Sequence, residues 1–377
     1  MINFFRKILR PKYEPLNRIE IIKQNLLDNF AYLSSLQRGA EIFPVLKSNA
    51  YGHGLKELAK ILNKTSTKMV AVDSFPEAQI VYKNFKGRVL FLNEMPLKAY
   101  NYCLFKRSEF CVYNSATLKY LAKHHSGVKI HLFYNSGMNR EGISDLQSFL
   151  DENNKYLNRV QIVGFCSHLM ASDTDPEMTS KQESNFMAAL DILQQNKIFP
   201  TWIHLGNSAG IFVLRNKRLT AFRAGLALYG YSPLVGESEV DNHLKPALRV
   251  VSTIIARQAL KRGDKVSYNG RYEAQGDTQI ALVPFGYYEG LDRRLSNEAQ
   301  FLVHGKKDFL AKVAGTISMN LVCLDAGDYQ FKIGDRVELV SPDNNSVNSI
   351  KNLSNISRTI PYEQLVRLQG NIHRQVI

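Results

Sequence analysis

Several features are scarce or missing in this 377-residue sequence. No apolar run approaches the roughly 18 residues of a membrane-spanning helix. Only four cysteines occur, and none has the close spacing of a zinc or redox motif: Cys103, Cys111, Cys166 and Cys323. No dinucleotide-binding G-x-G-x-x-G follows the first predicted strand. We therefore expect a cytoplasmic protein with reduced cysteines, no metal site and no membrane contact.

Acidic residues are also in the minority. There are 48 Lys and Arg residues against 34 Asp and Glu, a formal net charge of +14. A basic protein can bind nucleic acid or anionic lipid. The positive residues are scattered, however, and no helix-turn-helix, zinc-finger or RNA-binding motif is present. We expect no nucleic-acid partner, and a positive surface that attracts small anions such as carboxylates and phosphate esters.

Short apolar runs alternate with helical patterns over the first two thirds of the chain. Leu55, Leu58 and Leu62, for example, fall on one face of a helix. Candidate strands lie near residues 42–47, 69–73, 88–92, 109–113, 128–134, 159–167, 201–205 and 219–223. This alternation predicts an α/β fold, a (β/α)8 TIM-type barrel over residues 14–243, after an N-terminal extension of residues 1–13. A doubly wound open sheet is the alternative.

The pattern changes after about residue 243. Gly-Asp and Asn-rich turns separate segments rich in Val, Ile and Leu, at 247–260, 278–285, 301–303, 311–324 and 335–341. Helical periodicity is nearly absent until the last residues. Residues 244–377 are therefore predicted to form a mostly antiparallel β domain. Because no low-complexity linker precedes it, we expect the two domains to pack tightly.

A lysine ends the first predicted barrel strand, where barrels of this type carry reactive side chains. The apolar residues 43–46 lead to Lys47, which is followed by Ser-Asn-Ala-Tyr-Gly-His-Gly at 48–54. Most lysines at a strand end are simply solvated. A buried one needs a partner or a chemical role. The strand pattern alone leaves both interpretations open.

Residues 45–54 resemble the cofactor segment V-x-K-x-x-A-Y-G-H-G of the alanine racemase family. The similarity recurs in order along almost the whole chain, at 135–142, 167–169, 204–209, 223–230, 266–268, 286–290, 318–320 and 361–363. The resemblance implies a barrel followed by a β domain, with pyridoxal 5'-phosphate as cofactor. It also implies racemisation of L-alanine to D-alanine, a precursor of cell-wall peptidoglycan.

The resemblance assigns the two proton-transfer groups to Lys47 and Tyr268. Lys47 would form the Schiff base with the cofactor aldehyde and then act as a free amine on one face of the substrate Cα. Inversion needs a second acid–base group on the opposite face, and this is Tyr268. A tyrosine has an ordinary pKa of about 10. Its phenolate therefore needs cationic neighbours, for which the candidates are His168, Arg140 and Arg271.

Other residues would bind the cofactor. Arg223 would face the pyridine nitrogen and keep it unprotonated, because a guanidinium only donates hydrogen bonds. His168 would bridge Arg223 and Tyr268. Hydroxyls and backbone groups would hold the ring and phosphate, from Tyr51, Asn207, Ser208, Gly225, Leu226 and Tyr362. Asn207 and Ser208 could also cap a helix, and both roles can hold together.

Arg140 and Met319 are the substrate contacts that the resemblance implies. Arg140 would clamp the substrate carboxylate, and Met319 with the Asn320 backbone would close the far side. Because Tyr268 belongs to the β domain and Lys47 to the barrel, each site would be completed across a homodimer. Three residues fall where the family lines a narrow entrance, although surface positions explain them equally well: Asp173, Tyr287 and Arg293.

Several positions depart from the family pattern. Phe133 stands where many members carry a lysine that CO2 modifies, and phenylalanine cannot form a carbamate. Three aspartates of the family are replaced by Asn135, Glu289 and Asn320, and Tyr288 replaces an alanine. These changes leave the substrate open between alanine and the serine, lysine or broader range of related racemases.

Two further alternatives have a different chemistry. A decarboxylase of the same fold would need a carboxylate at the pyridine nitrogen, and Arg223 argues against it. A non-catalytic carrier of pyridoxal phosphate would lack the second domain that contains Tyr268.

Overall fold

The computed structural model describes residues 14–236 and 239–377. The predicted extension of residues 1–13 lies outside them. Within these ranges the chain forms a parallel barrel and a mostly antiparallel sheet. The predicted fold class is therefore confirmed.

The first described strand, β1 (Arg18–Ile21), precedes the barrel. In the described ranges the barrel wall has eight parallel strands: β2 (Glu41–Pro44), β3 (Met69–Val72), β4 (Arg88–Phe91), β5 (Ser108–Val112), β6 (Lys129–Phe133), β7 (Gln161–Cys166), β8 (Trp202–His204) and β9 (Ala221–Ala224). Strands β3 to β8 form one ladder, and β2 pairs with β9. A bridge between Val45 and Ala71 and a hydrogen bond from Thr220 N to Ile203 O join the two parts.

Helices follow most of these strands and cover the wall. They are α1 (Lys23–Leu36), α2 (Leu55–Leu62), α3 (Phe75–Asn84), α4 (Ser115–His124), α5 (Leu146–Leu157), α6 (Pro176–Gln195), α7 (Ser208–Val213) and α8 (Glu239–His243). Local signals start several of them. Ser74 and Glu77 form a capping box at α3, and the Asp145 and Asp175 side chains cap α5 and α6. Because helices cover the barrel, its strands read as continuous apolar runs.

The segment after β2 differs from the prediction. Strand β2 ends at Pro44 rather than at Lys47, and Lys47–Tyr51 forms a short helical turn. Four consecutive residues of this turn have positive φ, between 51° and 55°, so the turn is left-handed. This conformation costs L-residues roughly 1–2 kcal/mol each. It persists because neighbouring structure binds the backbone, for example the Glu77 carboxylate that accepts from Ser48 N at 2.7 Å.

The β domain contains most of the remaining strands: β10 (Leu248–Thr253), β11 (Ala256–Leu260), β12 (Lys265–Val266), β13 (Tyr272–Glu273), β14 (Thr278–Val283), β15 (Gln300–His304), β16 (Asp308–Val313), β17 (Val322–Asp325), β18 (Arg336–Val340) and β19 (His373–Val376). Two helices, α9 (Ile350–Ile356) and α10 (Pro361–Arg367), precede the last strand. The main sheet of the described residues has the order β11-β14-β17-β16-β15-β18-β10-β1-β19.

Strand β1 lies in this sheet although the prediction grouped its residues with the barrel. It pairs antiparallel with β10 and parallel with β19. Ile19 and Ile21 are fully buried, and the Glu20 carboxylate accepts hydrogen bonds from Arg249 and Arg336. The first described strand thus ties the start of the barrel to the β domain.

The two parts also meet next to the lysine turn. Gly52 ends this turn with φ 77°, and a Cβ added there would lie 2.1 Å from the Leu365 carbonyl oxygen of α10. The Arg374 guanidinium donates to the Gly52 carbonyl at 2.8 Å and 3.1 Å. Gly52 is therefore required both by its backbone conformation and by this close approach.

We expect Gly52→Ala to destabilise the protein more than Gly127→Ala, which replaces a glycine of similar positive φ. Gly127 has φ 78° and no atom within 4 Å of an added Cβ. Gly127→Ala should therefore lower the free energy of unfolding by about 1–2 kcal/mol. The steric clash in Gly52→Ala should lower the free energy of unfolding by about a further 1–3 kcal/mol. Urea unfolding of both variants measures the difference, and equal losses would contradict the role of the contact.

Candidate active site

The carboxyl ends of the barrel strands bring several charged side chains together. The Lys47 ammonium lies 3.1 Å from the Asp73 carboxylate, and Asp73 directly follows β3. The charges of Lys47, Arg140 and Arg223 all act on the His168 ring. Strand ends of a closed barrel converge on one mouth. Residues more than 170 positions apart in sequence, such as Lys47 and Arg223, therefore share one site.

Arg223 is the most deeply buried charge at this mouth, with 4% of the residue exposed. It lies on β9, and its guanidinium donates to the carbonyl oxygens of Ser167, His204 and Leu205 at 2.6 to 3.1 Å. It also donates to the ring nitrogens of His204 at 2.7 Å and His168 at 3.3 Å. These partners are all uncharged. Burial lowers the pKa of Arg223, and the guanidinium still remains a pure donor.

His168 is held in its neutral form. Burial first, and then the charges of Arg223, Arg140 and Lys47, lower its pKa to about 3. His168 is therefore not the cation that the sequence analysis considered for Tyr268. His168 contacts Arg223, while the cavity that Tyr268 lines within the same chain contains no barrel residue; the bridge from His168 to Tyr268 stays a prediction.

A pocket of hydroxyls and backbone amides lies beside Arg223. The Ser208 hydroxyl accepts from Gly225 N at 2.9 Å and from Ala227 N at 3.3 Å. A Cβ added at Gly225 would lie 2.6 Å from the Tyr51 hydroxyl. The Tyr51 ring is 5.9 Å from the ring of Tyr362. Because the Ser208 hydroxyl accepts from these amides, it can donate its own proton, and hydroxyl donors such as Ser208 and Tyr51 suit an anion such as a phosphate.

Burial affects both of these tyrosines. It raises the pKa of Tyr51, and together with the nearby Asp173 charge it raises the pKa of Tyr362 to about 12. Both hydroxyls therefore remain protonated hydrogen-bond donors near neutral pH. Tyr362 and Leu226 line one cavity of about 490 Å³ together with Asp173. Asn207, by contrast, caps helix α7, since its side chain accepts from Gly210 N at 2.9 Å.

Arg140 has a carboxylate partner that the sequence analysis missed. Two guanidinium nitrogens of Arg140 bind the two carboxylate oxygens of Glu141, whose side chain is only 14% exposed. The ion pair raises the pKa of Arg140. Phe133 is buried and packs edge-on against Tyr113. Where Phe133 excludes a carbamate, Glu141 supplies a negative charge to Arg140.

The β-domain residues form a second cluster. Tyr268 is 68% exposed and lines a cavity of about 680 Å³ with Tyr287, Arg293 and Ser318. The backbone joins two of the sequence motifs here, because Tyr287 N donates to Ser318 O and Tyr288 N to Met319 O. Every residue that lines this cavity belongs to the β domain. Within one chain, Lys47 and Tyr268 do not meet in it.

Several residues of this cluster expose large apolar or aromatic surface. Their exposed fractions are 44% to 68%, for Tyr268, Tyr287, Tyr288 and Met319. A soluble monomer rarely exposes so many large side chains side by side, and such a patch is typical of an interaction surface. The Asn320 amide donates to Glu289 at 2.8 Å, and Arg271 lines a separate cavity with Arg293 and Arg294.

Comparisons with known proteins agree with this arrangement. The family model "Alanine racemase, N-terminal domain" matches residues 21–233, and "Alanine racemase, C-terminal domain" matches 247–376. The chain belongs to the alanine racemase family. Among its relatives is the alanine racemase of Borreliella burgdorferi (strain ZS7), 30% identical over 365 residues that cover 93% of this chain and 95% of that protein.

Solved structures of alanine racemases have the same fold. That of Clostridium difficile 630 is 27% identical, with a TM-score of 0.87 and 97% of both chains covered. An alanine racemase from Bartonella henselae, with covalently bound pyridoxal phosphate, is 23% identical, with a TM-score of 0.84 and 97% of this chain and 100% of that one covered. None of the helices in the described part of this chain combines the length and apolar composition of a membrane span.

Several polar groups at or below the barrel mouth were not among the predicted site residues. Asp73 and Glu141 could have been found, because both lie just after a barrel strand or within a family motif. Glu109 and His131 lie inside strands β5 and β6, where an apolar side chain is the ordinary expectation. No sequence signal marked these two as part of the site.

The pKa of His168 gives a direct test of the electrostatics. We expect NMR titration to show a neutral ring from about pH 5 to 8, since the pKa of His168 is lowered to about 3. The unfolded chain binds this proton near pH 6.5 and the folded chain does not. The free energy of unfolding therefore decreases as pH falls from about 6.5 towards 3. Arg140→Met should raise the pKa of His168 only part of the way to its ordinary value, because the ring stays buried. A titration midpoint of His168 above pH 6 in the unaltered protein would contradict this environment.

Proposed function

We propose that this protein is a pyridoxal-phosphate-dependent racemase that interconverts L-alanine and D-alanine. The proposal is carried by the buried Arg223 guanidinium, which has only uncharged partners and lies at the same barrel mouth as Lys47. Family membership over both domains supports the same activity. The finer functions follow from it: a cytoplasmic enzyme that supplies D-alanine for peptidoglycan.

The side chains at the barrel mouth fit pyridoxal 5'-phosphate. The Tyr51 and Ser208 hydroxyls, which lie against the Gly225 backbone, would bind the phosphate. The Tyr362 hydroxyl and the Leu226 backbone border the same region. Arg223 would donate to the pyridine nitrogen and keep it unprotonated. When bound, the cofactor supplies an aldehyde for the amino group and an electron-accepting ring that acidifies the Cα–H bond.

Lys47 would hold the cofactor and then move a proton on one face of the substrate Cα. Its ammonium is paired with Asp73, and its side chain is 38% exposed towards the mouth, so the amine can reach a ligand there. The left-handed turn that begins at Lys47 directs Tyr51 into the phosphate region a few residues later. In this proposal the strained turn would carry both the reactive amine and a phosphate-binding hydroxyl on one short segment.

Tyr268 would move the proton on the opposite face. Within one chain it is exposed, and it lines a cavity with Ser318, the residue before the exposed Met319. The patch would pack against the barrel mouth of a second subunit, so that Tyr268 and Met319 of one subunit complete the site around Lys47 of the other. Tyr287 and Arg293 line the same cavity as Tyr268, and Asp173 lies beside Tyr362; they would border the entrance.

Arg140 would bind the carboxylate of the substrate. It lies near Lys47 and His168, and Glu141 fixes the plane of its guanidinium through both carboxylate oxygens. The remaining donors of the guanidinium can receive an amino-acid carboxylate by charge-assisted hydrogen bonds. A neutral His168 adds no further positive charge at this point.

Chiral product analysis tests the activity and the substrate together. The purified protein, loaded with pyridoxal phosphate, is incubated separately with L-alanine and L-serine, and the enantiomers are separated. We expect D-alanine to approach an equal mixture with L-alanine, while L-serine reacts more slowly. The Lys47→Ala variant is the control and should form no D-alanine. Faster conversion of serine would favour the broader-specificity alternative. If neither L-alanine nor L-serine yields its D-enantiomer, the proposal is refuted.

Subunit mixing tests whether the site is shared. Lys47→Ala and Tyr268→Phe dimers should each be inactive, because each lacks one proton-transfer group. In a mixed dimer, one of the two sites receives an intact lysine from one chain and an intact tyrosine from the other. Random mixing in equal amounts makes half of the dimers mixed, so activity should recover to about a quarter of the unaltered protein. A site built within one chain would recover no activity on mixing.

A further inference from the structure

Three buried ionisable side chains continue from Arg223 into the barrel interior. Arg223 contacts His204 Nδ1 at 2.7 Å, His204 Nε2 contacts His131 Nδ1 at 2.7 Å, and His131 Nε2 contacts a Glu109 oxygen at 2.8 Å. His204, His131 and Glu109 are each 0% exposed. The second Glu109 oxygen accepts from Arg88, which stacks on Trp202 nearer the surface.

The barrel makes room for this chain of contacts at one glycine. The residues belong to strands β5, β6, β8 and β9, so the His131 ring must pass strand β7 to reach His204. Gly164 of β7 lies opposite His131 in the register, and a Cβ there would be 2.0 Å from His131 Nδ1. Any other residue at this position would displace the ring. Gly164 is therefore specific to the contact between the two histidines.

The two ends of the chain determine where the protons lie. Arg223 can only donate, so His204 Nδ1 accepts and the proton of His204 is on Nε2. That proton is donated to His131 Nδ1, which leaves the proton of His131 on Nε2, facing Glu109. Glu109, as a carboxylate, only accepts. With both rings neutral, this is the one assignment in which every contact has a donor and an acceptor.

We infer that Glu109 is a positioning residue for Arg223, acting through His131 and His204. Its negative charge makes His131 a stronger acceptor at Nδ1, and this in turn makes His204 a stronger acceptor for the Arg223 guanidinium. The relay, defined as Glu109, His131 and His204, thereby fixes the orientation of Arg223 without placing a carboxylate next to it. Its catalytic consequence rests on the proposed function, whereas the proton positions do not.

Replacing Glu109 with glutamine tests the relay. An amide has one acceptor and one donor, so it cannot accept from both Arg88 and His131. If its NH2 group faces His131, both rings must shift their protons, and His204 then presents an N–H to Arg223. If it faces Arg88, the relay loses its charge. Either orientation weakens the hold on Arg223.

The first measurement needs no activity. In the cofactor-free protein at neutral pH, 15N NMR of histidine side chains should show His131 and His204 as neutral rings protonated at Nε2. Glu109→Gln should change the side-chain nitrogen shifts of both rings. A cationic ring, or Nδ1 protonation of His204 in the unaltered protein, would overturn the relay. The outcome of this measurement does not depend on whether the protein racemises alanine.

The second measurement uses the cofactor-loaded enzyme. Glu109→Gln should lower kcat on the order of tenfold, as loss of a supporting partner does elsewhere. KM for alanine should change little because Arg140 is outside the relay, and the absorption maximum of the bound cofactor should shift. The matched control is Glu20→Gln, a buried carboxylate held by Arg249 and Arg336 in the β domain. It should lose stability without shifting the absorption.

A second variant separates the relay from a general loss of folding. His204→Asn keeps an oxygen acceptor for Arg223 near the position of Nδ1 but removes the link to His131. It should reproduce the spectral shift and the loss of kcat seen with Glu109→Gln. The absorption spectrum and kcat of Glu109→Gln and His204→Asn are compared with those of Glu20→Gln. If whichever of the first two variants folds does not differ from this control, the assignment of Glu109 is overturned.

Discussion

The buried guanidinium of Arg223 is the constraint on which the rest of the site depends. A permanent cation with 4% exposure must receive acceptors from the protein. The barrel supplies three carbonyl oxygens and two imidazole nitrogens rather than a carboxylate. Both histidines must then present an unprotonated nitrogen, and burial keeps their pKa values low. The one buried charge thereby determines which nitrogen of each histidine accepts, and the guanidinium itself can only donate.

Close backbone approach is the second physical theme of the molecule. Gly52 lets the lysine turn contact α10, Gly225 leaves room at the Tyr51 hydroxyl, and Gly164 admits the His131 ring. At each position a single methyl group would occupy space that the structure uses for a functional contact. The left-handed turn from Lys47 to Tyr51 adds backbone strain to these constraints. Tertiary contacts with α10 and Glu77 hold that turn in place.

The two domains contribute unequal parts of the chemistry. The barrel carries Lys47, the buried Arg223 and the Tyr51 and Ser208 hydroxyls, while the β domain carries an exposed aromatic patch around Tyr268. Within one chain, the cavity at this patch is lined by β-domain residues alone. Sharing the site between subunits would give this patch a partner. Glu141 supplies a negative charge next to Arg140. Phe133 cannot supply one, because phenylalanine cannot form a carbamate.

The alternation of strands and helices could be predicted from the sequence, because buried parallel strands are mostly apolar. The flanking motifs likewise identified Lys47, Arg223 and Tyr268 as candidate site residues. The predicted end of the first barrel strand at Lys47 was wrong, because a short left-handed turn has no hydrophobic periodicity that would mark where the strand stops. The sequence could not connect Glu109 with His131 and His204, which are 22 and 95 positions further along the chain. The pairing of β5, β6, β7 and β8 in the barrel wall brings these residues together. Burial first, and then neighbouring positive charge, lowers the pKa of both histidines. Contacts between distant strands and the loss of solvent are properties of the folded chain, so no local pattern in the sequence could predict them.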